Sequence, residues 1–266
     1  MKRKTPSWSP AHISGILLLS VAAVCFFFNP VLTAVIAFFY IVLCIAASFF
    51  PQSRFYLPVI SRGRTGKNFV ALTFDDGPSP MTRDILDVLD RYDAPATFFV
   101  SGVNALRYPE IIRDIIARGH DIGNHSFHHN PFLMLRPYGY LYREVLQAQK
   151  TLEAQGVRTF AFRPPVGVIN PKLPRVLNKL GMYCVTFSCR AFDAGNRRVS
   201  HLADRILKKV KPDDIILLHD ANPPGGRDHR PVVREVEAIL QGMKEKDLIV
   251  VPLSALIGRT VMEKIP

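Results

Sequence analysis

From Phe69 to Leu253 the chain alternates short apolar runs with segments whose apolar residues recur at helical spacing. "FVALTF" at 69–74 gives way to "MTRDILDVLDRY", in which Ile85, Leu86, Val88 and Leu89 share a face. "ATFFVSG" is followed by "PEIIRDIIARG", with Pro109 at its start and Gly119 just past its end. The cycle continues with "HDIGNHS" before a helical pattern at 138–154 and "RTFAFRP" before "PKLPRVLNKLG". "MYCVTFSC" precedes "HLADRILKKV", "DIILLHD" precedes a helical pattern at 231–244, and "LIVVPL" comes last. Seven strands separated by helices predict a parallel α/β fold, closed into a barrel or doubly wound, because parallel neighbours need a crossover between them.

Ahead of this lies a different composition. Residues 11–28 and 31–50 are apolar runs with no charge except a protonatable His12, and Asn29-Pro30 separates them. Each approaches the roughly 20 residues that span a bilayer, and Asn-Pro breaks helical geometry. Neither run has a polar face, which argues against a buried helix of a soluble protein. The expectation is a transmembrane hairpin between a basic tail (1–10) and a basic juxtamembrane linker (51–67), with the α/β domain over 68–266. A cleaved signal peptide is the rival reading, but no small-residue cleavage site followed by a polar start stands out.

The formal charge of +12 is concentrated here, since residues 1–67 hold seven Lys and Arg and no acid, leaving +5 on the other 199. That distribution belongs to membrane topology rather than phosphate binding, so nucleic acid is excluded as a partner. Three basic residues before the hairpin and four after it predict that both flanks, and the domain, lie on the cytoplasmic side of the inner membrane. If the first run is removed or does not span, the domain lies outside, on the periplasmic face. Cys25 and Cys44 lie in apolar runs, while Cys184 and Cys189 face opposite sides of a strand-like segment. Four free thiols are expected, as in a reducing compartment.

In parallel α/β folds chemistry gathers at the C-terminal ends of the strands. The first run ends in Asp75-Asp76-Gly77-Pro78, and the third leads into His125, His128 and His129. The fourth ends at Arg163-Pro164-Pro165, Asp193 follows the fifth, and the sixth ends at His219-Asp220. Asp, Gly and Pro together also make an ordinary turn. Two carboxylates leaving one strand, however, diverge, so that one can ligate a metal while the other faces substrate. On a helical turn His125 and His129, four apart, share one face, His125 and His128, three apart, serve nearly as well, and spacing alone does not choose between them. Two imidazoles and a carboxylate make an open three-ligand site. A lone strand-end His219 suits a general acid, and Arg163 and Asp193 suit either a structural ion pair or orienting partners of the acid and base.

This set resembles the polysaccharide deacetylase family (the NodB homology domain, or carbohydrate esterase family 4) over about residues 68–256. "TFDDGPSP", "HSFHH", "RPPVG", "SCRAFD" and "LLH" match its five motifs in order. The resemblance implies a deformed (β/α) barrel of about seven parallel strands. It also implies Asp75 as general base and Asp76, His125 and His129 as ligands of one divalent metal, zinc by donor type, with cobalt, nickel or manganese also fitting. His219 would be the general acid, Arg163 would orient Asp75, Asp193 would tune His219, and Leu217 would line the acyl pocket. Substrate would lie along Pro165 and Val166, with a backbone N–H near Val166 facing the oxyanion. The reaction implied is removal of an N-acetyl or N-formyl group from an amino sugar.

Two positions depart from the family pattern. Val166 stands where the third motif usually has tyrosine, and Ala194 stands where the fourth usually has tryptophan. A groove without those aromatics stacks pyranose rings poorly, so the expected substrate is a lipid-linked glycan at the membrane rather than long chitin. An envelope polysaccharide such as peptidoglycan, and an inactive carbohydrate-binding module of the same fold, are the alternatives.

Overall fold

The structure, a computed structural model, describes residues 8–226 and 228–265. Lys2, Arg3 and Lys4, which carry part of the topology expectation, lie outside the described residues. Helices α1 (Pro10–Phe26) and α2 (Pro30–Ser48) come first. Phe27, Phe28 and Asn29 form the turn between them, so both helices are slightly shorter than the apolar runs. Asn29 Oδ1 accepts from the N–H groups of Val31 and Leu32, both at 3.1 Å, and so caps α2. Across the pair, the Tyr40 hydroxyl donates to Ala11 O (2.7 Å) and Thr33 donates to Ala22 O (3.1 Å). The outer faces expose Leu17, Phe28, Val31 and Phe39. With 19 residues, α2 is long and apolar enough to cross a bilayer, as an anchor or a signal sequence would, whereas α1 is a shorter apolar helix.

The strands are β1 (Val59–Ile60), β2 (Phe69–Asp75), β3 (Ala96–Val100), β4 (Asp121–Asn124), β5 (Val157–Thr159), β6 (Ala161–Phe162), β7 (Tyr183–Val185), β8 (Cys189–Arg190), β9 (Ile215–His219), β10 (Ile249–Val250) and β11 (Met262–Lys264). The helices between them are α3 (Pro80–Arg91), α4 (Gly102–Arg107), α5 (Pro109–Ala117), α6 (Tyr138–Glu153), α7 (Leu173–Leu180), α8 (Leu202–Leu207), α9 (Arg230–Glu245) and α10 (Leu253–Ile257). One sheet runs β1-β7-β6-β4-β3-β2-β9-β8, with β10 added beside β2, and every pairing within it is parallel. It curls into an incomplete α/β barrel. Inside it pack Phe99, Val185, Phe187 and Leu217, with Leu253 and Leu256 of α10. Outside, α3, α5 and α9 cover Leu72, Phe74 and Phe98, while α6 and α7 cover Phe162 and Cys184.

Two runs expected as single strands are divided. Residues 157–162 bend at Phe160, so β6 enters the barrel while β5 pairs antiparallel with β11. Residues 183–190 cross from one sheet edge to the other: β7 sits beside β1, and β8 pairs with β9 at the opposite edge. Between these contacts Thr186 N donates to Ile60 O (2.9 Å) and Ser188 N to Ile215 O (3.0 Å). Cys184 and Cys189 therefore sit on different strands, and all four cysteines are free.

Residues 51–67, expected as a linker, belong to the fold. Tyr56, Leu57 and Val59 are buried, and β1 extends the sheet. A stretch this short shows no period from which a strand can be read. It also ties the helical pair to the barrel, with Thr186 Oγ1 donating to Pro51 O (2.7 Å) and Tyr56 Oη to Cys44 O (2.6 Å), and α2 adds a direct tie where Ile169 N donates to Ser48 O (3.0 Å).

Candidate active site

The C-terminal ends of β2, β4, β6, β8 and β9 surround a cavity of about 600 Å³. Asp75, the last residue of β2, is buried, and its Oδ1 accepts from Arg163 Nη1 at 2.6 Å. Arg163 follows β6 and is wholly buried, stacked 3.9 Å over the Phe99 ring. Its Nη1 also donates to Thr73 Oγ1 (2.8 Å) and its Nη2 to Thr186 O (3.0 Å). A guanidinium fixed by four partners holds one carboxylate oxygen in place and leaves the other, Oδ2, toward the cavity.

Asp76 adopts a left-handed backbone (φ 75°), which turns its side chain away from that of Asp75. Asn104 Nδ2 donates to Asp76 O at 2.8 Å and braces this conformation. Asp76 Oδ1 lies 2.9 Å from His129 Nε2 and 3.3 Å from His125 Nε2. His125 Nδ1–H donates to Arg163 O at 2.8 Å, which fixes the tautomer and leaves Nε2 as a lone-pair donor. His129 reaches the same point because the loop turns through left-handed residues at Ser126 (φ 65°) and His129 (φ 50°).

The three donor atoms lie within 4.8 Å of one another. Asp76 Oδ1 is buried and no well-aligned hydrogen bond reaches it. Burial alone would raise the Asp76 carboxyl, but the two imidazoles hold it well below the usual carboxylate range. An anionic oxygen and two imidazole nitrogens converging without a hydrogen bond fit one small divalent cation, and the spacing left open between His128 and His129 is resolved by this convergence.

His128 points elsewhere. Its Nδ1 donates to Glu144 Oε1 (2.7 Å) and its backbone N–H to Glu144 Oε2 (2.9 Å). Glu144 is buried on α6, so a single carboxylate clamps the loop that carries both imidazoles.

Across the cavity, His219 ends β9 and donates from Nδ1 to Asp193 Oδ2 at 2.7 Å. Burial lowers the His219 pKa, but the Asp193 bond and charge, then the charges of Asp76 and Asp75, push it up to about 9. Asn196 Nδ2 donates to both His219 O (3.0 Å) and Ala221 O (2.8 Å), fixing the strand end. Leu217, two residues back, lines the cavity floor. Val166 lines the cavity with a left-handed backbone (φ 51°) and is 53% exposed. Pro165, expected along the substrate, is instead buried behind the lining, because the turn at 165–167 directs Val166 outward and the proline inward.

The sequence and fold are similar to those of known proteins. Residues 62–185 match the family model described as polysaccharide deacetylase. The peptidoglycan-N-acetylglucosamine deacetylase of Bacillus cereus is 32% identical over 194 residues, which is 72% of this chain and 89% of that protein. The chain belongs to the polysaccharide deacetylase family. The chitooligosaccharide deacetylase of Sinorhizobium fredii is 36% identical over 172 residues (64% of this chain and 80% of that protein). A crystal structure of a peptidoglycan N-acetylglucosamine deacetylase bound to a naphthalenyl N-hydroxybenzamide superposes with a TM-score of 0.69 at 28% identity, covering 76% of this chain and 94% of that one. A wild-type pseudoenzyme of carbohydrate esterase family 4 from Bacillus anthracis shares the fold at 20% identity, with a TM-score of 0.67 over 75% of this chain and 68% of that one.

Beyond the residues read from sequence, this polysaccharide deacetylase site depends on Glu144, Asn104, Asn196 and Asp220. Asp220 is fully buried and its carboxyl is pushed up to about 7, mainly by that burial. Thr82 Oγ1 donates to its Oδ2 (2.7 Å), and a Cβ at Gly77 would collide with it. Glu144 had a readable signal: it is the one ionisable residue on the buried face of α6 that carries Leu141, Val145, Ala148 and Leu152. A charge at such a position needs a partner.

Proposed function

We propose that the protein is a membrane-anchored, metal-dependent hydrolase that removes an N-acetyl or N-formyl group from an amino sugar of a glycan or lipid-linked glycan. The observation that carries this reading is the orphaned Asp76 Oδ1 between two imidazole nitrogens, with a fixed carboxylate on one side and an Asp-paired histidine on the other. Asp76, His125 and His129 are the residues that would hold one divalent cation, zinc by donor type, with cobalt, nickel or manganese also compatible. When bound, that cation supplies Lewis-acid polarisation of the amide carbonyl and activation of water.

The chain's own groups do the rest. Asp75, oriented by Arg163, accepts the proton of the attacking water. His219, charged through Asp193 at neutral pH, delivers a proton to the departing amine nitrogen. Leu217 receives the small acyl group, and the Val166 turn bounds the sugar side. The helical pair would be the anchor, and the basic flanks of the sequence favour the cytoplasmic face for the domain. A reporter fused to the C-terminus tests that side, and a periplasmic signal overturns it. The names of the relatives favour a second reading, an extracytoplasmic peptidoglycan deacetylase, which the same fusion separates. The inactive-module reading has against it the presence of base, acid and all three donors.

The functional test is release of primary amine from polymeric and lipid-linked N-acyl amino sugars by the purified full chain, with metal analysis. Asp75→Asn is expected to abolish release, by at least about a hundredfold for a lost general base, while metal content stays at the wild-type level. Activity equal to wild type in that variant refutes the assignment.

A further inference from the structure

The charges lining the cavity are almost all matched. Asp75 is paired with Arg163 and Asp193 with His219, and Asp76 faces the two imidazoles. Two cations on the fourth wall are not. Arg190, the last residue of β8, and Arg197, in the turn after Asp193, both line the cavity, and neither makes an ion pair among the described residues. Arg190 is half-buried. Its guanidinium lies 4.1 Å over the Phe192 ring and 5.3 Å over that of Phe187, so its donors are held by aromatic faces and remain free for a ligand. Register places Arg190 opposite Leu217, the floor residue two before His219. The aromatic support is built at a cost: Phe192, Ala194 and Asn196 all have left-handed backbones, at φ 58°, 53° and 62°. Arg190 feels the charge of Asp193, which is itself paired with His219, and Arg197 is exposed to solvent; neither makes an ion pair of its own among the described residues, so both can offer donors to an anion in the ligand, and a planar fork suits phosphate.

We propose that Arg190 and Arg197 form an anion subsite that selects an amino sugar carrying a phosphate beside the acylamino carbon. This rests on the amidohydrolase reading and deepens it by naming the substrate class. The lip of the same cavity adjoins the end of α2. A Cβ at Gly167 would meet the Pro51 ring at 3.0 Å, and Gln52 Nε2 donates to Phe187 O at 3.4 Å. Phe49 and Phe50, at the end of α2, and Val166, on the lip, are exposed apolar side chains. A sugar phosphate presented from a lipid would meet this lip first, but a free sugar phosphate has the same subsite chemistry.

The test compares binding of N-acetylglucosamine 1-phosphate and N-acetylglucosamine to the metal-loaded full chain in detergent, by calorimetry, for wild type, Arg190→Gln, Arg190→Lys and Arg197→Gln. Wild type is expected to favour the phosphate by at least about tenfold, as a charge-assisted contact requires. The preference should collapse toward unity in Arg190→Gln, fall in Arg197→Gln and be partly kept in Arg190→Lys, with thermal melts confirming folding. No preference in wild type, or a preference that survives both glutamine variants and so belongs to the metal, overturns the proposal. If Arg190→Gln does not fold, the wild-type ratio and Arg197→Gln still decide. Amine release is measured separately, so loss of the hydrolase reading and loss of the subsite are distinguishable. Comparing turnover of a polyprenyl-phosphate-linked N-acetylglucosamine with the free sugar phosphate assigns the source, and a higher rate on either supports the subsite.

Discussion

Replacing Asp193 with asparagine isolates the electrostatic part of the proposed acid. His219 is half-buried, with a side chain 15% exposed, and among the described residues its side-chain hydrogen bond is to Asp193 Oδ2 at 2.7 Å. Asparagine keeps the volume and an oxygen that can accept from Nδ1–H, but it removes the charge. In the native site the pKa of His219 stands at about 9 against an ordinary 6.5. That separation corresponds to about 3 kcal/mol in favour of the imidazolium. Asp193 supplies the largest favourable share and Asp76 and Asp75 the remainder, so the alkaline limb of kcat/KM should move down by about 1–2 units. A cation held by Asp76, His125 and His129 opposes the imidazolium in both proteins, so the displacement between them is the quantity to read. The linkage has a definite sign. A raised folded pKa adds stability that is fully present below 6.5 and is lost as pH rises through about 9. The variant should therefore be less stable than wild type near pH 6, and the gap should close toward pH 9.5. The assay is a pH–rate profile of amine release, paired with thermal unfolding at the two pH values. An alkaline limb in the same place for both proteins refutes the assigned role of Asp193.

Two further outcomes are expected. Glu144→Gln replaces one of the two acceptors that clamp His128 with an amide donor, so the loop bearing His125 and His129 loosens. Metal affinity, measured by competition with a chromophoric chelator, should fall about 10- to 100-fold, as for other residues that orient ligands, and unchanged affinity contradicts the clamp. Chelation of the metal-loaded protein should lower its stability by about 2.7 kcal/mol relative to metal at a hundredfold excess over Kd, while Asp76→Asn should show no such difference.

Much of this site was legible because strand ends carry the chemistry and the apolar runs mark where strands end. Asp75, His125, Arg163 and His219 each sit at or just after such an end, and a motif preserves their order. What was not legible depends on contacts between distant segments. The burial of Val59 needs β7 as a partner 125 positions away, as its pairing with Cys184 shows, and nothing local announces it. The division of 157–162 and of 183–190 reflects a change of partner within one apolar run, which periodicity cannot register. The inward turn of Pro165 follows from one left-handed residue, the β-branched Val166, an unfavourable choice for that conformation that no propensity would suggest. Arg190 reads in sequence as an ordinary charge near a strand, and its place in the cavity lining without a direct ion pair among the described residues appears only when the cavity is assembled.

The run from Tyr183 to Arg190 that joins both edges of the sheet has a kinetic consequence. Its contacts reach back to Val59 and forward to Leu217, so neither edge can be completed by local structure, and chain closure over such separations is slow. Asp193 and Phe192 follow directly on this run, so the partner of His219 and the aromatic support of Arg190 are set only when the barrel closes. A partly folded chain can therefore gather Asp76, His125 and His129, which follow β2 and β4 on either side of β3, before it has a working acid. Metal capture would precede competence, and refolding followed by both signals should show the first appearing ahead of the second.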